Sequence, residues 1–150
     1  MLKVGDKAPG FQARTEAGEE FELSDFRGKT VVLYFYPKDD TPGCTKEACD
    51  FRDSYEKLLH KGAVLLGVSA DDARSHGNFR EKYDLPFTLI ADEDHSISEA
   101  YGVWQEKKMY GKSMMGIVRT TYLIDPKGNI AHVFAKVKVE GHIDEVLAKL

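Results

Sequence analysis

Thr30-Val31-Val32-Leu33-Tyr34-Phe35-Tyr36-Pro37-Lys38-Asp39-Asp40-Thr41-Pro42-Gly43-Cys44 is the stretch that decides the fold. Its opening run is β-branched and aromatic apart from Leu33, which predicts a strand buried on both faces, as parallel strands usually are. Pro37 ends that strand. Thr41 suits an N-cap, and Pro42 suits the first helical position, where a missing N–H costs nothing. Gly43 lets the backbone be approached closely, and Cys44 follows in the first turn.

Working outward, Ala48, Phe51, Tyr55, Leu58 and Leu59 recur at steps of three and four, which predicts one helix from Cys44 to about His60, closed by Gly62. Ala63 to Ser69 repeats the buried-strand pattern, a polar helix follows over about Asp72 to Tyr83, and a third strand over Phe87 to Ile90. Upstream, two strand-like runs around Ala17-Gly18-Glu19 predict an N-terminal hairpin, and Ser24 offers a cap for one turn ending near Gly28. Downstream, the pattern predicts a short helix over His95 to Tyr101, a long loop from Trp104 to Gly116 and a strand over Arg119 to Asp125. Pro126 to Asn129 reads as a turn, Ile130 to Val137 as a hairpin partner, and Gly141 precedes a last helix. The expected class is α/β, a central mixed β-sheet flanked by helices. One domain over residues 1–150 suffices, since a chain of this length buries roughly two-thirds of its unfolded surface.

Lys and Arg number 21 and Asp and Glu 25, a net charge of −4 that disfavours a nucleic-acid partner. The longest unbroken apolar run, Val31 to Tyr36, is far short of the roughly 20 residues that span a bilayer, so no membrane partner is expected. The charged start, Met1 to Asp6, lacks the pattern of a secretory signal, and the expected location is cytoplasmic. The five histidines show no i, i+4 pair and make no zinc pattern with the two cysteines, so neither a metal nor a cofactor is expected. Gly111-Lys112-Ser113 resembles the end of a phosphate-binding loop, but Glu106 stands where that motif needs glycine. Lys107, Lys108 and Lys112, near Trp104 and Tyr110, read as a solvated loop rather than a docking surface.

Cys44 and Cys49 are the only thiols, and in a reducing compartment two close cysteines do chemistry more often than they staple a fold. A thiol in a first helical turn meets the positive helix end and unpaired amides, which favour the thiolate. An unperturbed thiol is only about 3% ionised at pH 7, and the thiolate is the nucleophile. A buried, inert cysteine that happens to follow a turn is the competing reading, and the Thr-Pro-Gly ahead of Cys44 argues for function. Five residues along a helix separate Cα atoms by roughly 8.6 Å. A disulfide needs less than about 7 Å, so bonding the two sulfurs would require the first turns to unwind. Arg119, opening an otherwise apolar strand, is expected to have an anionic partner or to cap a strand end at the surface.

PKDDTPGCTKEACDFRD resembles the active-site motif of peroxiredoxins of the peroxiredoxin Q, or bacterioferritin comigratory protein, subfamily. The resemblance continues through GVSADDARSHGNFREKYDLPFTLIAD and YGVWQEKKMYGKSMMGIVRTTYLIDPKGNI, and so covers nearly the whole chain. It implies a thioredoxin-like fold with an N-terminal hairpin, Cys44 as peroxidatic cysteine and Cys49 as resolving cysteine on the same helix. It further implies that the Thr41 hydroxyl and backbone amides hold the peroxide oxygens, that Arg119 pairs with the thiolate, and that Pro37 shields the pocket. Gly10, where Asp is frequent, and Thr120, where Ser is frequent, depart from the pattern without touching that chemistry. The implied activity is reduction of hydrogen peroxide and organic hydroperoxides, with thioredoxin or a similar dithiol as reductant. No cysteine-bearing tail follows, so a partner subunit is not expected to resolve the oxidised thiol, and a monomer is expected. Two rivals stand beside this reading. A disulfide reductase would place its two cysteines at the helix start with two residues between them, and a redox sensor would consume peroxide only once.

Overall fold

A computed structural model describes residues 1–150. In chain order the elements begin with β1 (Gln12–Arg14) and β2 (Glu20–Glu22), a single 3-10 turn (Leu23–Phe26), then β3 (Thr30–Phe35), α1 (Pro42–Asp53), α2 (Tyr55–His60) and β4 (Ala63–Ser69). They continue with α3 (Ala73–Tyr83), β5 (Thr88–Ala91), α4 (Ser96–Ala100), β6 (Trp104–Met109), β7 (Lys112–Ile117), β8 (Thr120–Ile124), β9 (Ile130–Phe134) and α5 (His142–Ala148). A five-stranded sheet runs in the order β5-β4-β3-β8-β9. The first three strands are parallel and joined by helices, while β8 pairs antiparallel with β3 and β9 antiparallel with β8. The expected mixed sheet and N-terminal hairpin are both present.

Alternation along β3 divides the interior. Val32 and Tyr34 face a core built with Ala48 and Phe51 of α1, Phe79 of α3, and Ile143 and Val146 of α5. Val31, Leu33 and Phe35 face a second core with Ile97 of α4, Tyr101, Tyr122 and the N-terminal Ala8 and Leu23. Both faces of β3 are therefore dry, the reason its sequence is apolar without interruption. Gly67 in β4 makes room for this packing, because a Cβ there would come within 3.0 Å of the Tyr34 ring and 2.8 Å of Leu89.

Four local expectations are corrected. The helix predicted from Cys44 to His60 is two, broken at Ser54, and Leu59 is half-exposed rather than on the buried face. The turn after β2 starts from Glu22, not Ser24. The loop predicted for Trp104 to Gly116 is a β-hairpin, β6 paired with β7 from Trp104↔Ile117 to Met109↔Lys112. Its strands pair only with each other and most of their side chains reach solvent, so no apolar alternation marks them. No helix is long and apolar enough to cross a membrane.

Candidate active site

Thr41 is the N-cap of α1 and Pro42 its first residue, as the local chemistry demands. The Thr41 hydroxyl does not cap the helix but donates to the Lys38 carbonyl (2.8 Å), leaving its oxygen lone pairs and the first-turn amides of Gly43 and Cys44 free to meet a ligand. Cys44 is buried and Cys49 half-buried, both as free thiols. Pro37, half-buried, opens the strand-to-helix loop that Thr41 closes.

The register of β8 against β3 brings in the distant partner. Phe35 pairs with Thr120, so Arg119 falls one step further, where β3 releases the chain toward α1. Arg119 Nη2 donates to Cys44 Sγ at 3.3 Å, and Nη1 donates to Glu47 Oε1 at 2.8 Å. Gly43 eases this approach, since a Cβ there would sit a tight 3.1 Å from Nη2 and the guanidinium would have to shift slightly. A guanidinium donating directly to the sulfur is a charged partner that a merely structural cysteine does not need, which disfavours the inert reading of Cys44. The structure thus brings Cys44, Thr41 and Arg119 to one place and sets Cys49 further along the same helix.

Sequence reasoning missed Glu47. It lies one turn beyond Cys44 in the same stripe as Ala48 and Phe51, and its burial is nearly complete. A carboxylate inside an apolar helical stripe was the available signal. Burial pushes the Glu47 carboxyl up to about 7, against the opposing pull of Arg119. Arg119 is itself pushed down by burial but held above its ordinary value by Glu47 and Cys44, so it stays charged. Glu47 Oε2 and the Tyr34 hydroxyl are buried without partners nearby in the same core. Burial and the Glu47, Cys44 and Asp39 charges raise the Tyr34 phenol well above its usual range, so it remains neutral. Burial drives His142 down to about 4, with Arg119 adding to the effect, and its imidazole is neutral too.

Asp39, Asp71 and His76 have ligand atoms within 4.8 Å of one another, a candidate cation cluster by composition. Protein donors already occupy it: Tyr36 and Ser75 hydroxyls donate to Asp39, and the Asp39 amide and Ser69 hydroxyl donate to Asp71. The cluster therefore fits a proton network better than a metal.

Fold and site together define a class, thioredoxin-like enzymes that hold one thiol at a helix N-terminus beneath an arginine. Residues 4–133 match the AhpC/TSA family. The chain is 50% identical over 149 residues to peroxiredoxin Bcp of Bacillus subtilis, covering 99% of this chain and 95% of that one. A solved structure of Xylella fastidiosa PrxQ superposes with a TM-score of 0.94 at 36% identity, covering 99% and 95% of the two chains. Structures of the Xanthomonas campestris bacterioferritin comigratory protein, described in terms of alkyl peroxide reduction, give a TM-score of 0.88 at 42% identity over 92% and 88%. The chain belongs to the AhpC/TSA family, among its peroxiredoxin Q/Bcp members, and is a thiol peroxidase.

Proposed function

We propose that Cys44 is the peroxidatic thiol and Cys49 its resolving partner, and the observation that carries this reading is the Arg119 guanidinium donating to Cys44 Sγ at 3.3 Å. The Cys44 thiolate attacks one peroxide oxygen, the O–O bond breaks, and the electron pair leaves on hydroxide or alkoxide, which takes up a proton. Arg119 and the first-turn amides stabilise the negative charge as it moves from sulfur to the departing oxygen. Thr41 accepts a hydrogen bond from the peroxide O–H, its own proton being committed to Lys38. Pro37 shields the pocket, and Glu47 holds the guanidinium in place.

Cys44 is left as a sulfenic acid. Cys49 displaces its hydroxyl as water, giving an intramolecular disulfide. Helix geometry keeps the two Cα atoms roughly 8.6 Å apart, beyond disulfide reach, so the opening turns of α1 unwind in every cycle. An external dithiol, thioredoxin or a similar carrier, returns both thiols by exchange and is oxidised in turn. The substrates are hydrogen peroxide and organic hydroperoxides, the latter in keeping with the alkyl peroxide chemistry described for the Xanthomonas relative. The chain works as one domain and as a monomer in the cytoplasm, without nucleic-acid or membrane partners, in keeping with its net charge of −4.

The test is peroxide turnover with a dithiol in the wild type, Cys44→Ser and Cys49→Ser, with thiol mass analysis after each reaction. Cys44→Ser is expected to be inactive. Cys49→Ser should oxidise once, rapidly, then stall or turn over slowly according to whether the external thiol attacks the sulfenic acid. Full activity of Cys44→Ser would refute the assignment.

A further inference from the structure

The loop that carries Thr41 is bolted to α3 by a buried pair of groups outside the peroxide site. His76 of α3 is fully buried, and its Nε2 lies 2.9 Å from the Ile90 carbonyl of β5, an acceptor only, so this nitrogen carries a proton. Its Nδ1 faces Asp39 Oδ2 at 2.6 Å. A carboxylate oxygen and a bare imidazole nitrogen repel at that distance, so a second proton lies between them. Asp39 also accepts from the Tyr36 hydroxyl (2.5 Å) at the end of β3 and from Ser75 of α3 (2.8 Å), while its amide donates to Asp71 (2.8 Å). The next residue, Asp40, has a positive φ of 55° and binds Lys82 (2.7 Å) and Tyr83 (2.8 Å) at the far end of α3.

We propose that Asp39 and His76 are a positioning pair for peroxide reduction: the proton held between them locks the Pro37 to Thr41 loop against α3, and its loss loosens that loop and slows attack by Cys44. The inference rests on Cys44 being the attacking thiol. The titratable groups facing His76 are Asp39 from the loop, Asp71 from the β4–α3 connection and Tyr36 from β3. Burial raises the Tyr36 phenol well above its usual range, so it donates throughout. Burial pulls His76 down, but the Asp39 bond and charge, the Ile90 carbonyl and Asp71 together outweigh it, and the imidazole ends above its ordinary value. The lock is therefore complete below the ordinary histidine range and is lost as pH rises through the folded value of His76.

The experiment measures single-turnover oxidation of Cys44 by hydrogen peroxide from about pH 5.5 to 9.5, with the His76 imidazole followed by NMR in the same samples. In the wild type the rate should fall on the alkaline side with the midpoint of the His76 titration. In His76→Gln the rate at neutral pH should drop roughly ten- to a hundredfold, the scale of misplaced reacting groups, and the alkaline fall should vanish. A purely structural pair would lower the amount of folded protein without removing that limb. An unchanged pH profile in His76→Gln overturns the proposal, and if that variant does not fold, His76 titrating in the wild type with no matching change in rate overturns it equally. A wild type whose Cys44 is never oxidised would instead sink the peroxidatic assignment itself.

Discussion

At the scale of single residues, the site turns on how a few charges are buried. Arg119 bridges Cys44 and Glu47, and only Glu47 Oε1 is paired, so burial dominates and the carboxyl rests at about 7. Its folded value is raised above the ordinary 4.5, so between those two values the unfolded chain binds fewer protons than the folded one. Stability contributed by this group is thus present at low pH and falls as pH rises through that window, by an amount on the order of 3 kcal/mol. Denaturant titrations of wild type and Glu47→Gln between those values should show the decline in the first and a flatter profile in the second. Parallel profiles would show that Glu47 does not titrate there.

At the scale of elements, the two ends of α1 are anchored differently. Its first turns carry Cys44 and Cys49, and its last carries Phe51, fully buried and stacked on Tyr34 at 4.6 Å between ring centres. Arg52 Nη1 donates to the Tyr83 carbonyl at 2.7 Å and ties that end to α3. Forming the Cys44–Cys49 bond should therefore abolish amide protection from Thr45 to Cys49 while residues from Phe51 onward stay protected. Hydrogen exchange on the oxidised and reduced forms measures this. Equal protection across Thr45 to Cys49 in both forms would contradict the unwinding step.

At the scale of the whole molecule, oxidation sets a short cross-link against a large native rearrangement. A bridge across so few residues restrains the unfolded chain by about 2 kcal/mol. Unwinding exposes Cys44 and Ala48 and takes Glu47 away from the mostly buried Arg119 guanidinium, and leaving one charge of a buried pair without its partner costs about 3–5 kcal/mol. The oxidised protein should melt several degrees below the reduced one, given a shift of about 2–4 °C per kcal/mol for a chain of this size. Calorimetry on both forms checks it, and a higher Tm after oxidation would reverse the balance. The same difference favours reduction, which suits a disulfide that must be returned to thiols each cycle.

Much of this was legible in the chain itself. β3 and β4, the start of α1 at Thr41-Pro42 and the place of Cys44 in its first turn follow from backbone preferences and periodicities that act within a few residues. The peroxiredoxin motif carried Pro37, Thr41, Cys49 and Arg119 with it. The β6–β7 hairpin was not legible because neither of its faces is fully buried, and the break at Ser54 was hidden by an apolar spacing that continues across it. What only the tertiary structure decided is which charges meet: Arg119 reaches Cys44 across 75 residues, and His76 reaches Asp39 across 37. Those contacts depend on sheet register and on how α3 packs over the loop, and neither distance in space is encoded in any local window of the sequence.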